Sequence, residues 1–257
     1  MNHPNEPHPA LIGFDLPIVS ADAQPFGALS LVRAEQDWLS NNQSNFLSHS
    51  DQKYFQSIDN KLRRQSLLLG RYAAKRALRF LLPHRSSQTI AIITGDKGEP
   101  LVRGDDMPAL TLSLAHSDSV ALAAVLPAPF AIGVDVERLR PDLVETLTSH
   151  IKARELALMP KELHWSPDQH LLALWCIKEA VAKALQTGFT LPFEQFEIAA
   201  LSYENGWLIA RFAHLPDYQA QCVFAGAHCL AMVFGNGMNL MIDREGLYRA
   251  LKVMSDD

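Results

Sequence analysis

The sequence predicts a mixed fold, α+β or α/β with mostly antiparallel sheets, made of two halves of similar make-up. Three observations carry that reading. A helical run over 50–82 is closed by Pro83. A second long helix is bounded by a capping box at Ser166-Pro167-Asp168-Gln169 and by Gly188. Each is followed by short strands bounded by turn residues. Helix then strands, twice over, points to an internal structural duplication, although the halves share no evident sequence identity.

The elements follow in order. Residues 1–10 contain Pro and His and are expected to form a disordered tail. Along 50–82, at about 100° per residue, Leu62, Leu69, Ala73 and Phe80 gather on one side. Arg64, Arg71 and Lys75 lie within roughly 40° of one another on the opposite side. The β-branched run 89–94 reads as a strand, and Gly95-Asp96-Lys97-Gly98 as a turn. Leu110, Leu112 and Leu114 alternate on one strand face. A turn at Ser117-Asp118-Ser119 leads into a strand over 120–126, and 130–137 is another. The apolar stretch 120–134 is broken by Pro127 and Pro129, is too short to span a bilayer, and reads as paired strands. In the second half, 143–159 reads as helical. The capped helix follows, about 21 residues or roughly 31 Å long. Strands are expected over 196–201, 207–214 and 222–234. Nothing is assigned after Gly237.

Composition narrows the class. A chain of 257 residues, 48% of them hydrophobic, can bury a real core as one large domain or two small ones. The net charge of −5 argues against a general nucleic-acid binder. The amino end lacks the basic start and apolar core of a signal peptide. Cys176, Cys222 and Cys229 are an odd count without metal spacing, which fits ordinary packing in a reducing compartment. A soluble cytoplasmic protein, not bound to membrane, is expected. The charge distribution is less ordinary. Eight of the 23 basic residues fall between Asn60 and Gly95, a window with no acidic residue. That window is either a solvated helix face or an anion-binding surface.

Two motifs carry chemistry. In Ile132-Gly133-Val134-Asp135-Val136-Glu137, residues two apart lie about 6.6 Å apart along a strand and point the same way. Ile132, Val134 and Val136 then face the core, and Asp135 and Glu137 share the other face. Two carboxylates this close repel unless they are protonated or bridged by a cation. Their oxygens suit a hard ion such as Mg²⁺, with solvent exposure and the following Arg138 and Arg140 as the plain alternative. In the capped helix, Leu171, Leu174, Val181 and Leu185 form an apolar stripe with Lys178 in its middle. An ammonium there must snorkel out, pair, or meet an anion. Glu179 and Lys183 stand at i and i+4 on the adjacent face, either as a surface pair or as a third metal oxygen and a phosphate contact.

At these residues the chain resembles the 4′-phosphopantetheinyl transferases, in particular the long, monomeric type that activates surfactin and siderophore synthetases. The strand motif (I/V)G(I/V)D(I/V)E stands complete at 132–137, and the helix motif WxxKEAxxKA complete at 175–184. The resemblance covers roughly 53–189. Lesser matches are Leu68-Leu69-Gly70-Arg71, Gly98-Glu99-Pro100 for the family's GKP, and Ser113-Leu114-Ala115-His116-Ser117 for its NxSHS. Here Glu99 replaces the lysine, with Lys97 able to take over its charge. The Asn and first Ser of NxSHS are also changed.

The resemblance implies two halves related by pseudo-twofold symmetry, each a mostly antiparallel sheet packed on a long helix, with coenzyme A between them. Residues 11–128 would take the adenine and 3′-phosphate side, and 129–257 the metal and catalytic helix. The implied reaction is Mg²⁺-dependent transfer of phosphopantetheine from coenzyme A to a serine of an apo acyl or peptidyl carrier protein. Such carriers are acidic, and 3′,5′-ADP is released. Asp135, Glu137 and Glu179 are the expected metal ligands, with Mn²⁺ the other candidate ion. Lys178 is expected on the diphosphate and Glu155 as general base. Lys53, Arg64, Arg71, Lys75, Lys97, Pro100, Ser113, His116 and Lys183 are the expected coenzyme contacts. Two other functions use the same residues: a Mg²⁺-dependent phosphohydrolase of a nucleotide-like substrate, or an inactive module binding coenzyme A or an acidic protein.

Overall fold

In the computed structural model, residues 11–19, 25–187, 190–236, 238 and 241–255 are described. The expected tail at 1–10 and the helix stop at Gly188 lie outside them, as does Gly237. The fold is α+β, with two antiparallel sheets stacked face to face and one long helix on each outer face.

The first sheet has the order β1-β2-β6-β5, using β1 (Leu11–Val19), β2 (Pro25–Ala34), β5 (Leu110–Ser117) and β6 (Val120–Pro127). A separate two-stranded ribbon pairs β3 (Ala91–Thr94) with β4 (Pro100–Arg103). The second sheet has the order β7-β11-β10-β9-β8, using β7 (Ile132–Arg138), β8 (Ile198–Glu204), β9 (Trp207–Phe212), β10 (Tyr218–Ala225) and β11 (His228–Gly235).

The expected duplication is visible in this order. From β2 the chain passes through helices, then β3 to β6, and β6 returns to lie beside β2 with β5 on its far side. From β7 it passes through helices, then β8 to β11, and β11 returns beside β7 with β10 on its far side.

Strand alternation sets the layers. On β6, Val120, Leu122, Ala124 and Leu126 face the second sheet, where they meet Val134, Val136, Leu230 and Met232. Ala121, Ala123 and Val125 face the other way, onto α3 (Lys61–Leu81). Cys229, Ala231 and Val233 of β11 likewise face α6 (Pro167–Ala184). Strands covered on both faces read as unbroken apolar runs, which is why 120–134 and 222–234 carry no alternation. The first of these is not a pair of bonded strands. β6 and β7 belong to different sheets, because the Pro127–Pro129 segment carries the chain from one layer to the next. The second is a hairpin, β10 with β11, turned at Gly226 with φ +57°.

The helical run 50–82 is two helices. In α2 (His49–Gln56), Ser48 and Asp51 form a reciprocal capping box. α3 begins afresh where the Asn60 side chain accepts the Arg63 N–H at 2.9 Å. Its apolar face also differs from the expected one: Leu68, Leu69, Ala73, Ala74, Ala77 and Leu78 are buried, whereas Leu62 and Phe80 are exposed. The 143–159 segment is two short helices, α4 (Pro141–Leu147) and α5 (Ala153–Leu156). Five elements were not foreseen: β1, β2, α1 (Gln36–Phe46), β4 and the terminal α7 (Arg244–Ser255). α7 buries Leu247, Ala250, Leu251 and Met254 against the sheets, at the 0, 3, 4, 7 spacing of an amphipathic helix. Among the described residues no helix is long and apolar enough to cross a membrane.

Candidate active site

The edge strands β5 and β7 are stitched together by serines. Ser113 Oγ accepts the Val134 N–H at 3.0 Å, and Ser117 Oγ accepts the Arg138 N–H at 3.1 Å. Ser117 Oγ also donates to Glu137 Oε2 at 2.8 Å. Ser113 is thus a buried joint between the two sheets. It fixes the height of the strand that presents Asp135.

α6 lies against that strand at very short range. A Cβ added at Gly133 would stand 1.9 Å from the Ala180 carbonyl oxygen and 2.4 Å from the Ala184 nitrogen. Only glycine permits this approach. It brings the turn carrying Glu179 and Lys183 beside Asp135. Lys183 Nζ donates to Asp135 Oδ1 at 2.7 Å. Asp135 is only 3% exposed, and its Oδ2 has no hydrogen-bond partner.

Charge is concentrated here. Burial first, then the neighbouring Asp135 carboxylate, push the Glu137 carboxyl up to about 7. Burial and Asp135 also raise Glu179. Burial pulls Lys183 down, but Asp135, Glu179 and Glu137 outweigh it and hold the ammonium above the ordinary lysine value. The three expected carboxylates therefore sit within electrostatic reach of one another. Among the described residues no group of three or more His, Cys, Asp or Glu forms a ready-made metal cage.

The Glu137 shift has a checkable sign. Its folded pKa lies above the unfolded one, so the folded state binds more protons between about 4.5 and 7. Stability is lost as pH rises through that window. In metal-free buffer, Glu137→Gln should match the wild type near pH 4. Near pH 8 it should exceed the wild type by about 1–3 kcal/mol, a range discounted for partial exposure. Urea unfolding at both pH values checks this. A Gln variant less stable at pH 8 would show that the carboxylate is not strained.

Beside the carboxylates opens a cavity of about 390 Å³. α2 and α3 line it with Tyr54, Arg63, Gly70 and Arg71, the β3–β4 turn with Lys97, Glu99 and Pro100, β5 with Ser113, Leu114 and His116, and the end of α6 with Lys183 and Gln186. Arg71, Lys97, Pro100, Ser113, His116 and Lys183 of the expected set are thus brought together. Glu99, at the family's lysine position, folds back so that its carboxylate accepts the Lys97 N–H at 2.9 Å.

Three expected contacts lie elsewhere. Lys75 is buried and holds Asp51 Oδ2 at 2.8 Å, the Ser87 carbonyl at 2.9 Å and the Ile90 carbonyl. It ties α3 to α2 and to the start of β3, and is not surface charge. Arg64 donates to the Ile58 carbonyl and lies over the Phe55 ring. Lys53 is exposed on α2 and does not line the cavity. Asp51 was missed. It takes Arg71 Nε at 3.2 Å, Lys75 and the Ile92 N–H, and so aims the one arginine of α3 that is both buried and at the cavity. Arg63 was also missed. It lies inside the same basic run and donates to the Tyr54 hydroxyl at 3.1 Å.

Lys178 and Glu155 meet each other. Lys178 Nζ lies 2.8 and 2.9 Å from the two Glu155 oxygens, and 4.8 Å from the centre of the Phe193 ring. Glu155 also accepts the N–H groups of Lys152 and Ile198, each at 3.0 Å. Lys178 is 1% exposed and Glu155 0%, so snorkelling is excluded. Neither residue lines the cavity, nor do Asp135, Glu137 and Glu179. Of the three outcomes open to a lysine in an apolar stripe, the fold realises pairing. The expected diphosphate contact and general base are thus each other's partners in a buried pair between α6 and α5. The three cysteines are free and buried, as expected of packing residues.

Fold and site together define a class: a duplicated α+β protein with a basic cavity whose Lys183 reaches out to a group of three carboxylates. The family comes from comparison. Residues 131–233 match the family model described as the 4′-phosphopantetheinyl transferase superfamily. That segment carries both motifs. No curated protein matches the chain. Among solved structures it is similar to the holo-(acyl-carrier-protein) synthase of Bacillus anthracis in complex with CoA (3′,5′-ADP), at 19% identity and TM-score 0.35 over 43% of this chain and 96% of that one. It is similar to the Thermotoga maritima holo-[acyl-carrier-protein] synthase at 19% and 0.32, over 45% and 69%. The Helicobacter pylori enzyme in complex with coenzyme A gives 19% and 0.31, over 46% and 100%.

Proposed function

We propose that this protein transfers the 4′-phosphopantetheine group of coenzyme A to a serine of an apo acyl or peptidyl carrier protein and releases 3′,5′-ADP. The observation that carries the reading is that Lys183 is shared by the cavity and the carboxylate group. Lys183 lines the cavity and at the same time holds Asp135. In the transfer, the serine oxygen bonds to the phosphorus next to pantetheine, the bond from that phosphorus to the 3′,5′-ADP oxygen breaks, and the serine proton leaves.

The cavity residues divide the work. Arg71, Lys97, Ser113 and His116, from the half spanning 11–128, would hold the adenosine and 3′-phosphate end. From the half spanning 129–257, Lys183 would meet the diphosphate. The carboxylates fit a divalent cation: one oxygen of Asp135 is buried without a partner, and Glu137 and Glu179 are both held above their ordinary values. Asp135, Glu137 and Glu179 would hold Mg²⁺ or Mn²⁺, which supplies charge neutralisation at the diphosphate. The Lys178–Glu155 pair positions α6, and with it Glu179 and Lys183. An acidic carrier as substrate, action as a monomer, and a cytoplasmic location complete the proposal.

The test is incubation with coenzyme A, Mg²⁺ and a panel of apo carriers, read by intact mass. The wild type should add one phosphopantetheine to at least one carrier. Asp135→Ala should lose transfer by about 100-fold or more while keeping its fold. Near-normal transfer by that variant would remove the metal site from the reading. Release of 3′,5′-ADP with no carrier present would favour the phosphohydrolase instead.

A further inference from the structure

We propose that Lys183 is a built-in counterion for the metal-binding carboxylate, released when a diphosphate enters the cavity, so that this side chain adds to the cooperativity between coenzyme and divalent cation. The inference rests on the proposed function. It adds how the site is kept closed and what opens it.

The geometry sets up a competition. Asp135 is 97% withdrawn from solvent, its Oδ1 is taken by Lys183 Nζ at 2.7 Å, and its Oδ2 has no partner. The ammonium at Oδ1 repels a divalent cation approaching the same carboxylate and weakens its binding. A buried carboxylate with neither is costly, so in the absence of metal the lysine stays. Lys183 is nevertheless not locked in. It is half-buried, it lines the cavity, and its ammonium sits on a flexible four-carbon stem. Lys178, five residues earlier on the same helix, is the contrast: both oxygens of its partner are engaged and it faces no cavity. The two lysines of one motif therefore divide into a fixed one and a movable one.

A polyanion entering the cavity offers Lys183 a second partner. Once the ammonium turns to it, both Asp135 oxygens are open to a cation, which replaces the charge the lysine supplied. Linkage makes the effect reciprocal: the diphosphate raises cation affinity by the same factor as the cation raises diphosphate affinity.

Manganese(II) titrations of the full chain, followed by electron paramagnetic resonance with coenzyme A alone as blank, test this. The wild type should bind Mn²⁺ about tenfold or more tightly in the presence of coenzyme A. Lys183→Met should bind Mn²⁺ alone at least about tenfold more tightly than the wild type alone, and coenzyme A should tighten its binding by a smaller factor than in the wild type, since only the direct attraction between cation and diphosphate is left. Lys183→Arg keeps a cation at the position and should keep the weak binding. Urea unfolding confirms that each variant folds, with Lys183→Gln replacing the Met variant should that one not. If the folded Met or Gln variant binds Mn²⁺ no more tightly than the wild type, the counterion role is overturned while the metal site stands. If wild type with coenzyme A binds no Mn²⁺, the metal reading and the counterion role fall together.

Discussion

Lys178→Met is expected to destabilise the protein by about 3–5 kcal/mol, because it strands a carboxylate in the core. Both oxygens of Glu155 are wholly buried and each has two partners: Lys178, together with the N–H of Ile198 for one and of Lys152 for the other. Removing the ammonium leaves a negative charge at 0% exposure held by two amide donors alone. It also removes the cation facing the Phe193 ring. Burial already lowers the Lys178 pKa, with Glu155 opposing, so the pair survives on its geometry and not on solvation. The double variant Lys178→Met, Glu155→Gln should recover most of the loss, since the neutral amide keeps an acceptor for one of the two N–H groups. Urea midpoints of the three proteins measure it. A lysine reserved for the coenzyme would behave oppositely: its removal would leave the midpoint unchanged or raised, with only coenzyme affinity falling. That result would return Lys178 to the binding site.

The same residue shows how far sequence reading reaches. The apolar stripe of α6 identifies Lys178 as a side chain needing a partner, and nothing more. Its partner lies 23 residues upstream on a single turn of helix, and no periodicity points there. The strand motif is more legible, because alternation alone fixes which side chains share a face. Ile132, Val134 and Val136 do enter the inter-sheet core, and Asp135 and Glu137 do turn away from it. The basic run of α3 was the least legible. Its charge looks unbalanced only within its own window. Asp51 from α2 takes Arg71 and Lys75, and Asp15 from β1 takes Arg76 at 2.5 Å. Compensation that arrives through tertiary packing leaves no local trace, so a buried ionic network reads as a surface patch. The Leu247, Ala250, Leu251, Met254 spacing of α7 was present in the sequence, by contrast, and simply was not used.

Gly133→Ala is expected to cost about 1–3 kcal/mol of stability and about 100-fold in transfer activity, one methyl group acting through the position of a whole helix. The added carbon would meet the Ala180 carbonyl oxygen at 1.9 Å and the Ala184 nitrogen at 2.4 Å. Both are backbone atoms, so no rotamer change relieves the contact, and α6 itself must move. The turn displaced is the one that carries Glu179 and Lys183, whose ammonium reaches Asp135 at 2.7 Å. A retreat of roughly 1 Å is enough to disorganise a group that depends on such distances. The side chain of Ala184 is a lesser obstacle at 2.9 Å, which makes the origin of the effect testable. Trimming it with Ala184→Gly should not rescue Gly133→Ala, because the carbonyl and the amide remain. Intact-mass transfer assays and urea unfolding of the single and double variants separate the cases. Full rescue would place the clash on the Ala184 methyl. Wild-type transfer by Gly133→Ala alone would show that α6 can stand back from β7 without disturbing the carboxylates, and the glycine of the strand motif would then need another reason.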